Sequence, residues 1–203
     1  MKITELCELA NKYKTDKGPI KHNYTEKYFE FFHNIREQPI NLLEIGVAFG
    51  ASIRMWLEFF PNAKIYGIDK EKMFVNLDDP RFTFIQGNQH VDTVYDELFK
   101  HCTEFDIIID DGSHKAEDEL YSFDKLFINH LKLDGIYVIE DLHTLRTTEI
   151  MKTIDVLDIF ANEGYFHSDH LSYFSNFVLT NSINKCKIYN KKIAFITKKE
   201  FKA

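Results

Sequence analysis

The sequence is poor in residues that break or crosslink a chain: its 203 residues include eight glycines, four prolines and three cysteines. No stretch is rich enough in glycine, proline or serine to predict a flexible linker. The cysteines have no CxxC spacing, which speaks against a disulfide scaffold or a zinc site and favours reduced thiols. We therefore expect a single domain over residues 1–203.

An excess of basic charge and long apolar runs are also missing. Lys and Arg number 25 against 32 Asp and Glu, so the formal net charge is −7. This balance argues against general binding to nucleic acid or to an anionic membrane. No run approaches the ~18 apolar residues of a membrane span, and residues 1–18 do not resemble a signal peptide. We expect a soluble, cytoplasmic protein that binds neither nucleic acid nor membrane.

Short apolar runs alternate with segments of helical periodicity. Continuous β-branched runs are typical of strands covered on both faces, as in a parallel sheet. Such runs predict strands at residues 40–45, 64–69, 82–86, 105–110 and 135–140. The intervals predict helices at 52–60, about 91–100 and about 117–131, and residues 1–35 read as helices outside the sheet.

The last part of the chain has a different pattern. Two apolar runs, 186–189 and 193–197, flank a short polar turn and predict an antiparallel hairpin at the sheet edge. The whole pattern predicts an α/β protein with a Rossmann-like, mostly parallel, doubly wound sheet and a C-terminal antiparallel hairpin.

A glycine loop follows the first predicted strand. Gly46 and Gly50 permit a tight turn and close approach of a ligand to the backbone, and the next helix presents its N-terminus there. Asp69 follows Gly50 by 19 residues and ends the second strand, where a carboxylate can bind a ribose diol. The loop therefore predicts a nucleoside site, although a turn that uses glycine only for its dihedral angles is the alternative.

The loop also indicates which nucleoside. A dinucleotide site needs glycine at the middle position, which here is Ala48, so NAD and FAD are disfavoured. Glu44, two positions before Gly46, suits a cationic nucleoside without phosphate. The pattern Glu-x-Gly-x-x-x-Gly with a later acid resembles the S-adenosylmethionine site of class I methyltransferases. In that fold Asn88 and Gln89, after the third strand, face the adenine, although a plain polar turn fits them equally well.

Acidic residues follow the fourth and fifth predicted strands. Asp110, Asp111 and His114 come after one, and Glu140 and Asp141 after the other. Because the carboxyl ends of neighbouring parallel strands meet at one edge, we expect these acids to share a small volume. Their mutual repulsion is relieved by a divalent ion, and oxygen ligands select Mg²⁺, Mn²⁺ or Ca²⁺ over Zn²⁺.

Such an ion would activate an alcohol as a nucleophile. Coordination lowers the pKa of the hydroxyl and orients its oxygen towards a methyl group. His114 could then remove the proton, because imidazole titrates near neutral pH. A structural role for the histidine and loop hydrogen bonds for the Asp pair are the alternatives.

Several motifs together resemble a known family. Residues 15–18 (Thr-Asp-Lys-Gly), 22–24 (His-Asn-Tyr), 43–47, 60–69, 110–114 and 140–142 are similar to segments of the metal-dependent sugar O-methyltransferases that tailor macrolides. The likeness covers about residues 13–144 and extends more loosely to cephalosporin hydroxylase-like proteins.

This resemblance implies specific roles. It makes Asp111, Glu140 and Asp141 ligands of Mg²⁺ (or Mn²⁺), His114 the general base, and Asp111 part of the catalytic centre. Residues 1–35 become a lid and substrate segment, which includes Lys17, His22 and Tyr24, and residues 36–203 the Rossmann-like core. The implied S-adenosylmethionine contacts are Glu44, Gly46, Gly50, Asp69, Asn88, Gln89, Asp110, Lys17 and Tyr24.

The acceptor implied is a hydroxyl of a sugar or of a saccharide-containing natural product. A catechol-type or other small-molecule O-methyltransferase, and a non-catalytic nucleoside-binding domain, remain alternatives. The aromatic residues between 161 and 181 either line the acceptor pocket or form a helix face packed on the sheet. The edge strand and the N-terminal helices are compatible with a homo-oligomer.

Overall fold

A seven-stranded sheet forms the centre of the protein. The structure, a computed structural model, describes residues 3–71, 77–144 and 151–201. The strand order is β3-β2-β1-β4-β5-β7-β6, with β7 antiparallel to both of its neighbours and the remaining pairs parallel. The predicted Rossmann-like sheet with its antiparallel C-terminal hairpin is confirmed.

The strands lie close to their predicted positions. They are β1 Asn41–Ile45, β2 Lys64–Asp69, β3 Phe82–Gln86, β4 Phe105–Asp110, β5 Leu131–Ile139, β6 Ile183–Tyr189 and β7 Ile193–Lys198. β5 begins four residues before the predicted start at Gly135. Asp134 has φ 61°, and the register with β4 shifts between Phe105 and Ile107. This irregularity interrupts the apolar pattern, so the sequence does not indicate the first part of β5.

The helices connect and cover the strands. They are α1 Glu5–Tyr13, α2 Thr25–Phe32, α3 Ala51–Phe59, α4 Asp92–Phe99, α5 Ala116–Phe127, α6 Thr153–Glu163 and α7 Tyr173–Ser182, with a 3₁₀ turn at His33–Ile35. The helix predicted to reach residue 131 ends at Phe127, because Leu131 already belongs to β5.

Alternate residues of the central strands face two separate cores. Leu43 and Ile108 pack under α4 to α7, whereas Leu42, Ile107 and Ile109 pack under α1 to α3. Both faces are therefore covered, which explains why these strands read as continuous apolar runs. The described helices include none that is long and apolar enough to cross a bilayer.

The N-terminal helices pack on the sheet through aromatic side chains. The ring of Tyr28 in α2 lies 5.1 Å from that of Trp56 in α3 and 5.4 Å from that of Phe195 in β7, and all three residues are buried. Edge-to-face pairs of this kind add specificity to apolar burial. The segment that carries Lys17 and Tyr24 is thereby fixed against the sheet.

Gly46 is needed because the protein's own backbone approaches it. It has φ +91°, and a Cβ atom there would lie 1.9 Å from the carbonyl oxygen of Asp111. Gly164 has a similar φ of +72°, but a Cβ there would meet no atom within 4 Å. A comparison of alanine substitutions at Gly46 and Gly164 therefore distinguishes the cost of backbone strain from the cost of crowding.

Gly46→Ala is expected to lower the free energy of unfolding by at least about 3 kcal/mol, since crowding adds to the left-handed strain. Gly164→Ala carries only the strain, about 1 kcal/mol. Urea denaturation of both variants measures the difference. Equal midpoints would show that the contact with Asp111 is not limiting.

Candidate active site

The glycine loop, the Asp-Gly-Ser-His loop and the Glu-Asp loop lie at the same edge of the sheet. They follow β1, β4 and β5, which are adjacent and parallel. The backbone joins them: Asp111 N–H donates to Ile45 O, and Glu140 N–H donates to Asp110 O, both at 2.9 Å. The predicted gathering of these segments at one edge is confirmed.

Asp69 braces the glycine loop. Its Oδ2 accepts hydrogen bonds from the N–H groups of Val47 at 2.9 Å and Ala48 at 2.7 Å. Ala48 has φ 46°, a strained conformation for a residue with a Cβ atom. Gly50 caps α3 with φ 73°. The loop thus forms a fixed turn at the start of a helix, as a nucleoside site requires.

Glu44 is fully buried beneath this loop. Its Oε2 accepts a hydrogen bond from Ser52 Oγ at 2.9 Å, and its Oε1 lies 3.3 Å from Lys17 Nζ. Burial raises the pKa of this carboxyl, and the positive charge of Lys17 opposes that shift. The Glu44 carboxylate therefore lies behind the glycine loop and contacts the ammonium of Lys17.

The ammonium of Lys17 lies among three carboxylates. Beyond Glu44, its Nζ contacts Asp111 Oδ2 at 2.5 Å and Glu140 Oε1 at 2.8 Å. Lys17 is 1% exposed. Burial disfavours the charged ammonium, but the surrounding carboxylates outweigh it and raise the pKa of Lys17. Lys17 is an internal cation of the acid cluster.

Two tyrosines, Tyr24 just before α2 and Tyr28 one helical turn later, hold the acids after β5. Tyr28 O–H donates to Glu140 Oε1, and Tyr24 O–H donates to Asp141 Oδ1 at 2.6 Å. Burial and the nearby acids raise the pKa of both phenols, so both remain donors. The structure thus places Lys17 and Tyr24, expected as cofactor contacts, on the predicted metal ligands.

Asp111, His114 and Asp141 form a group that could hold a metal ion. One ligand atom from each lies within 4.8 Å of the others. His114 Nε2 lies 4.0 Å from Asp111 Oδ1. Glu140, the third predicted ligand, lies deeper, with its carboxylate on Lys17 and Tyr28. The oxygen donors fit a hard divalent ion such as Mg²⁺, and the imidazole is an added donor or base.

Asp110 and Gln89 are located differently from the expected cofactor contacts. Gln89 is buried; its Nε2 donates to both carboxylate oxygens of Asp110 at 3.2 Å, and its Oε1 accepts from Ser113 N–H at 2.8 Å. Burial raises the pKa of Asp110 to about 7. Both polar ends of Gln89 are thus engaged in joining the β3 and β4 loops, whereas Asn88 is exposed and accepts from His90 N–H.

Comparison with known proteins shows the family of the chain. The model of the FtsJ-like methyltransferases matches residues 17–180, most of the chain. The chain belongs to the FtsJ-like methyltransferase family.

Relatives of this FtsJ-like protein include sugar-modifying enzymes. It is 40% identical over 148 residues to mycinamicin VI 2''-O-methyltransferase of Micromonospora griseorubida, and 38% identical over 147 residues to demethylmacrocin O-methyltransferase of Streptomyces fradiae. Each alignment covers 69% of this chain but only 36% and 37% of the relative. The chain thus spans little more than a third of these curated relatives.

A solved structure extends the likeness over nearly the whole chain. It is that of the mycinamycin pathway methyltransferase MycE in complex with Mg, S-adenosylhomocysteine and mycinamycin VI. The two structures share 30% identity with a TM-score of 0.80, over 97% of this chain and 54% of that one. The resemblance seen in the sequence motifs is therefore confirmed.

Several site residues of the FtsJ-like chain escape the sequence analysis. Tyr28 carries no motif, and its signal is the spacing of one helical turn from Tyr24. Ser52, which binds Glu44, reads as an ordinary first-turn residue of α3. His143 lies two residues after Asp141, and one of its ligand atoms lies within 4.8 Å of ligand atoms of His22 and Asp141. Its position beside the Glu-Asp pair is the signal that could have found it.

The aromatic segment lines a cavity of its own. Tyr165, Tyr173 and Phe177 line a cavity of about 300 Å³. Phe177 contacts Phe201, which follows β7, and α7 leads into the first residue of β6. Because β7 runs antiparallel to β5, that end of the sheet is where β5 begins, opposite Glu140. Phe166 is fully buried against Phe123 and Phe160, as the packing alternative predicts, whereas Tyr173 is 87% exposed and does not pack on the sheet.

Lys17→Met tests the internal cation. It leaves the buried carboxylates of Glu44 and Glu140 without their counter-charge, and we expect a loss of about 3–5 kcal/mol in the free energy of unfolding. Lys12→Met is the matched control, because Lys12 pairs with Glu58 at the surface and its loss should change little. Urea denaturation measures the free energy of unfolding of both variants. Equal stability of Lys17→Met and Lys12→Met would contradict this role of Lys17.

Proposed function

We propose that the chain is the catalytic unit of a Mg²⁺-dependent, S-adenosylmethionine-dependent O-methyltransferase that acts on a sugar hydroxyl. The observation that carries the proposal is the meeting of Asp111, His114 and Asp141 ligand atoms within 4.8 Å. This group lies beside the turn after β1 that suits a nucleoside. The family membership and the sugar-modifying relatives support the choice of reaction and acceptor.

The residues on hand fit a hard metal ion. Asp111 and Asp141 would supply carboxylate oxygens, with Glu140 behind them, and Mn²⁺ suits the same donors. When bound, S-adenosylmethionine supplies the methyl group, and the metal ion lowers the pKa of the acceptor hydroxyl and fixes its position.

His114 is proposed as the general base. Its backbone has φ 57°, and its side chain is 9% exposed beside Asp111. A left-handed conformation at a residue other than glycine stores strain and is frequent at functional sites. In this position Nε2 can take the proton from an acceptor hydroxyl as the new carbon–oxygen bond forms.

The cofactor is proposed to lie along the glycine loop. Gly46, Gly50 and Asp69 would line the cofactor site. Asn88 would lie near the adenine, and Glu44 would lie behind the loop. We propose that residues 1–35 close over core residues 36–203, with Lys17 and Tyr24 fixing the metal ligands from that side. Asp110 and Gln89 would support the β4 loop from within.

The negative net charge and the three free cysteines bear on partners and location. A charge of −7 favours a small-molecule acceptor over nucleic acid. Free thiols favour a reducing compartment, which we propose to be the cytoplasm. The exposed edge of β6 is compatible with a homo-oligomer.

The first test measures release of S-adenosylhomocysteine with Mg²⁺ and a panel of deoxysugar glycosides and catechols. His114→Gln should lower the rate by about 10²-fold or more while cofactor binding, measured by calorimetry, is unchanged. His101→Gln, an exposed histidine beside Glu97, is the control.

Three results would contradict the proposal. Turnover of catechols alone would move the acceptor to that class. Cofactor binding without turnover of any acceptor would favour a binding domain. Full activity of His114→Gln would remove the proposed base.

Asp111→Asn tests the metal ligand. We expect the heat of Mg²⁺ binding to be lost, because the amide is a poorer ligand for the ion. In addition, the ammonium of Lys17 loses its nearest carboxylate, so its positive charge is less compensated and repels the ion. Asp169→Asn, an exposed acid beside His167, should keep the heat. Circular dichroism checks that both variants are folded. An unchanged heat in Asp111→Asn would overturn the assignment of this ligand.

A further inference from the structure

Asp141 belongs to two different groups of metal-ligating side chains. The first, with Asp111 and His114, faces the proposed reaction centre. The second consists of His22, Asp141 and His143, with one ligand atom from each within 4.8 Å of the others. Neither His22 nor His143 has a part in the proposed methyl transfer. We call the second group the outer triad.

The outer triad has a different chemistry from the inner acids. Two imidazoles and one carboxylate suit Zn²⁺, Ni²⁺, Co²⁺ or Fe²⁺, whereas Mg²⁺ prefers oxygen ligands. In a tetrahedral site with bonds of about 2.1 Å, neighbouring ligand atoms lie about 3.4 Å apart. His22 Nδ1 already lies 3.6 Å from Asp141 Oδ1. Small side-chain movements would therefore complete three bonds to one ion.

The backbone holds Asp141 and His143 on one turn. Asp141 has φ 53°, and two backbone hydrogen bonds hold the turn: Leu142 N–H donates to Lys192 O at 3.0 Å, and Thr144 N–H donates to Asp141 O at 2.9 Å. The ligands at positions 141 and 143 are thus presented together.

His22 lies in the N-terminal segment and is held by one backbone hydrogen bond and one ring contact. Its N–H donates to Asp16 O at 3.0 Å, and its ring stacks on Tyr24 at 5.2 Å. The rings of His22 and His143 lie 6.4 Å apart. The His22 side chain is 28% exposed and His143 is exposed, so an ion can enter from solvent and water can fill the remaining positions.

We propose that His22, Asp141 and His143 form a second metal site that takes a divalent transition ion such as Zn²⁺. Because Asp141 is shared, the outer ion competes with Mg²⁺ for that carboxylate. Occupation of the outer triad therefore inhibits methyl transfer, a consequence that rests on the proposed function, whereas the binding itself does not.

Co²⁺ is the probe for the test, because its visible absorption strengthens on binding to nitrogen ligands in a site of low coordination number. The whole chain is titrated with Co²⁺ without Mg²⁺, and Zn²⁺ is then added to displace it. We expect one tight site. His22→Ala and His143→Ala should each weaken Zn²⁺ binding about tenfold or more, since even outer contacts of a metal site are worth 10–100-fold.

His101→Ala is the matched control, an exposed histidine paired with Glu97 outside the cluster. It should bind Co²⁺ like the wild type, and Mg²⁺ should weaken Co²⁺ binding in both. Equal affinities of His143→Ala, His22→Ala and the wild type would overturn the proposal. So would loss of the signal in His114→Ala with full retention in His143→Ala, because the ion would then lie in the inner group.

The two proposals fail separately. A histidine-dependent Co²⁺ signal with no turnover of any acceptor would refute only the methyltransferase assignment. Turnover with a Co²⁺ signal that ignores His22 and His143 would refute only the outer triad.

Discussion

The contact between the Lys17 ammonium and three carboxylates organises this molecule. Glu44 belongs to β1, Asp111 follows β4 and Glu140 follows β5, so one side chain joins three strand ends. A buried acid without a counter-charge costs several kcal/mol. The N-terminal segment and the sheet therefore depend on each other: without the segment the acids repel, and without the acids the lysine cannot be buried.

Close backbone packing maintains the same arrangement. The glycine at position 46 admits the carbonyl of Asp111, and the glycine at 112 admits the side chain of Gln89. His114 and Asp141 have left-handed backbones, at a cost of about 1–3 kcal/mol each. Such strain persists only where the surroundings fix the chain. Two of the residues that present ligand atoms are thus among the strained ones, which is consistent with a functional role for the strain at these two positions.

The sequence predicts the sheet well because a strand buried on both faces has a continuous apolar run, which is visible in the local sequence. The runs of β2, β3 and β4 have their predicted bounds. The sequence also predicts that the acids after β4 and β5 lie close together, because the Asp-Gly-Ser-His and Glu-Asp motifs directly follow two predicted strands. It does not predict what Lys17 touches: 94 residues separate it from Asp111, and local pattern says nothing about pairing over that distance. Similarly, the sequence offers Gln89 either as a contact to the adenine or as part of a plain polar turn, and only the folded chain shows it joining two loops.

The charge of the cluster indicates why such a site would bind a cationic cofactor together with a metal ion. Glu44, Asp111, Glu140 and Asp141 carry four negative charges when ionised, and Lys17 offsets one of them. Under the proposed function, a divalent ion offsets two more and the sulfonium of S-adenosylmethionine offsets the last.

Methyl transfer would turn that sulfonium into a neutral thioether while the acceptor hydroxyl loses a proton. If His114 accepts the proton, the positive charge lost at sulfur reappears on the imidazole. The total charge beside the buried acids then stays constant through the reaction. A base held next to Asp111 keeps the site electrostatically balanced, which a base distant from the acids would not do.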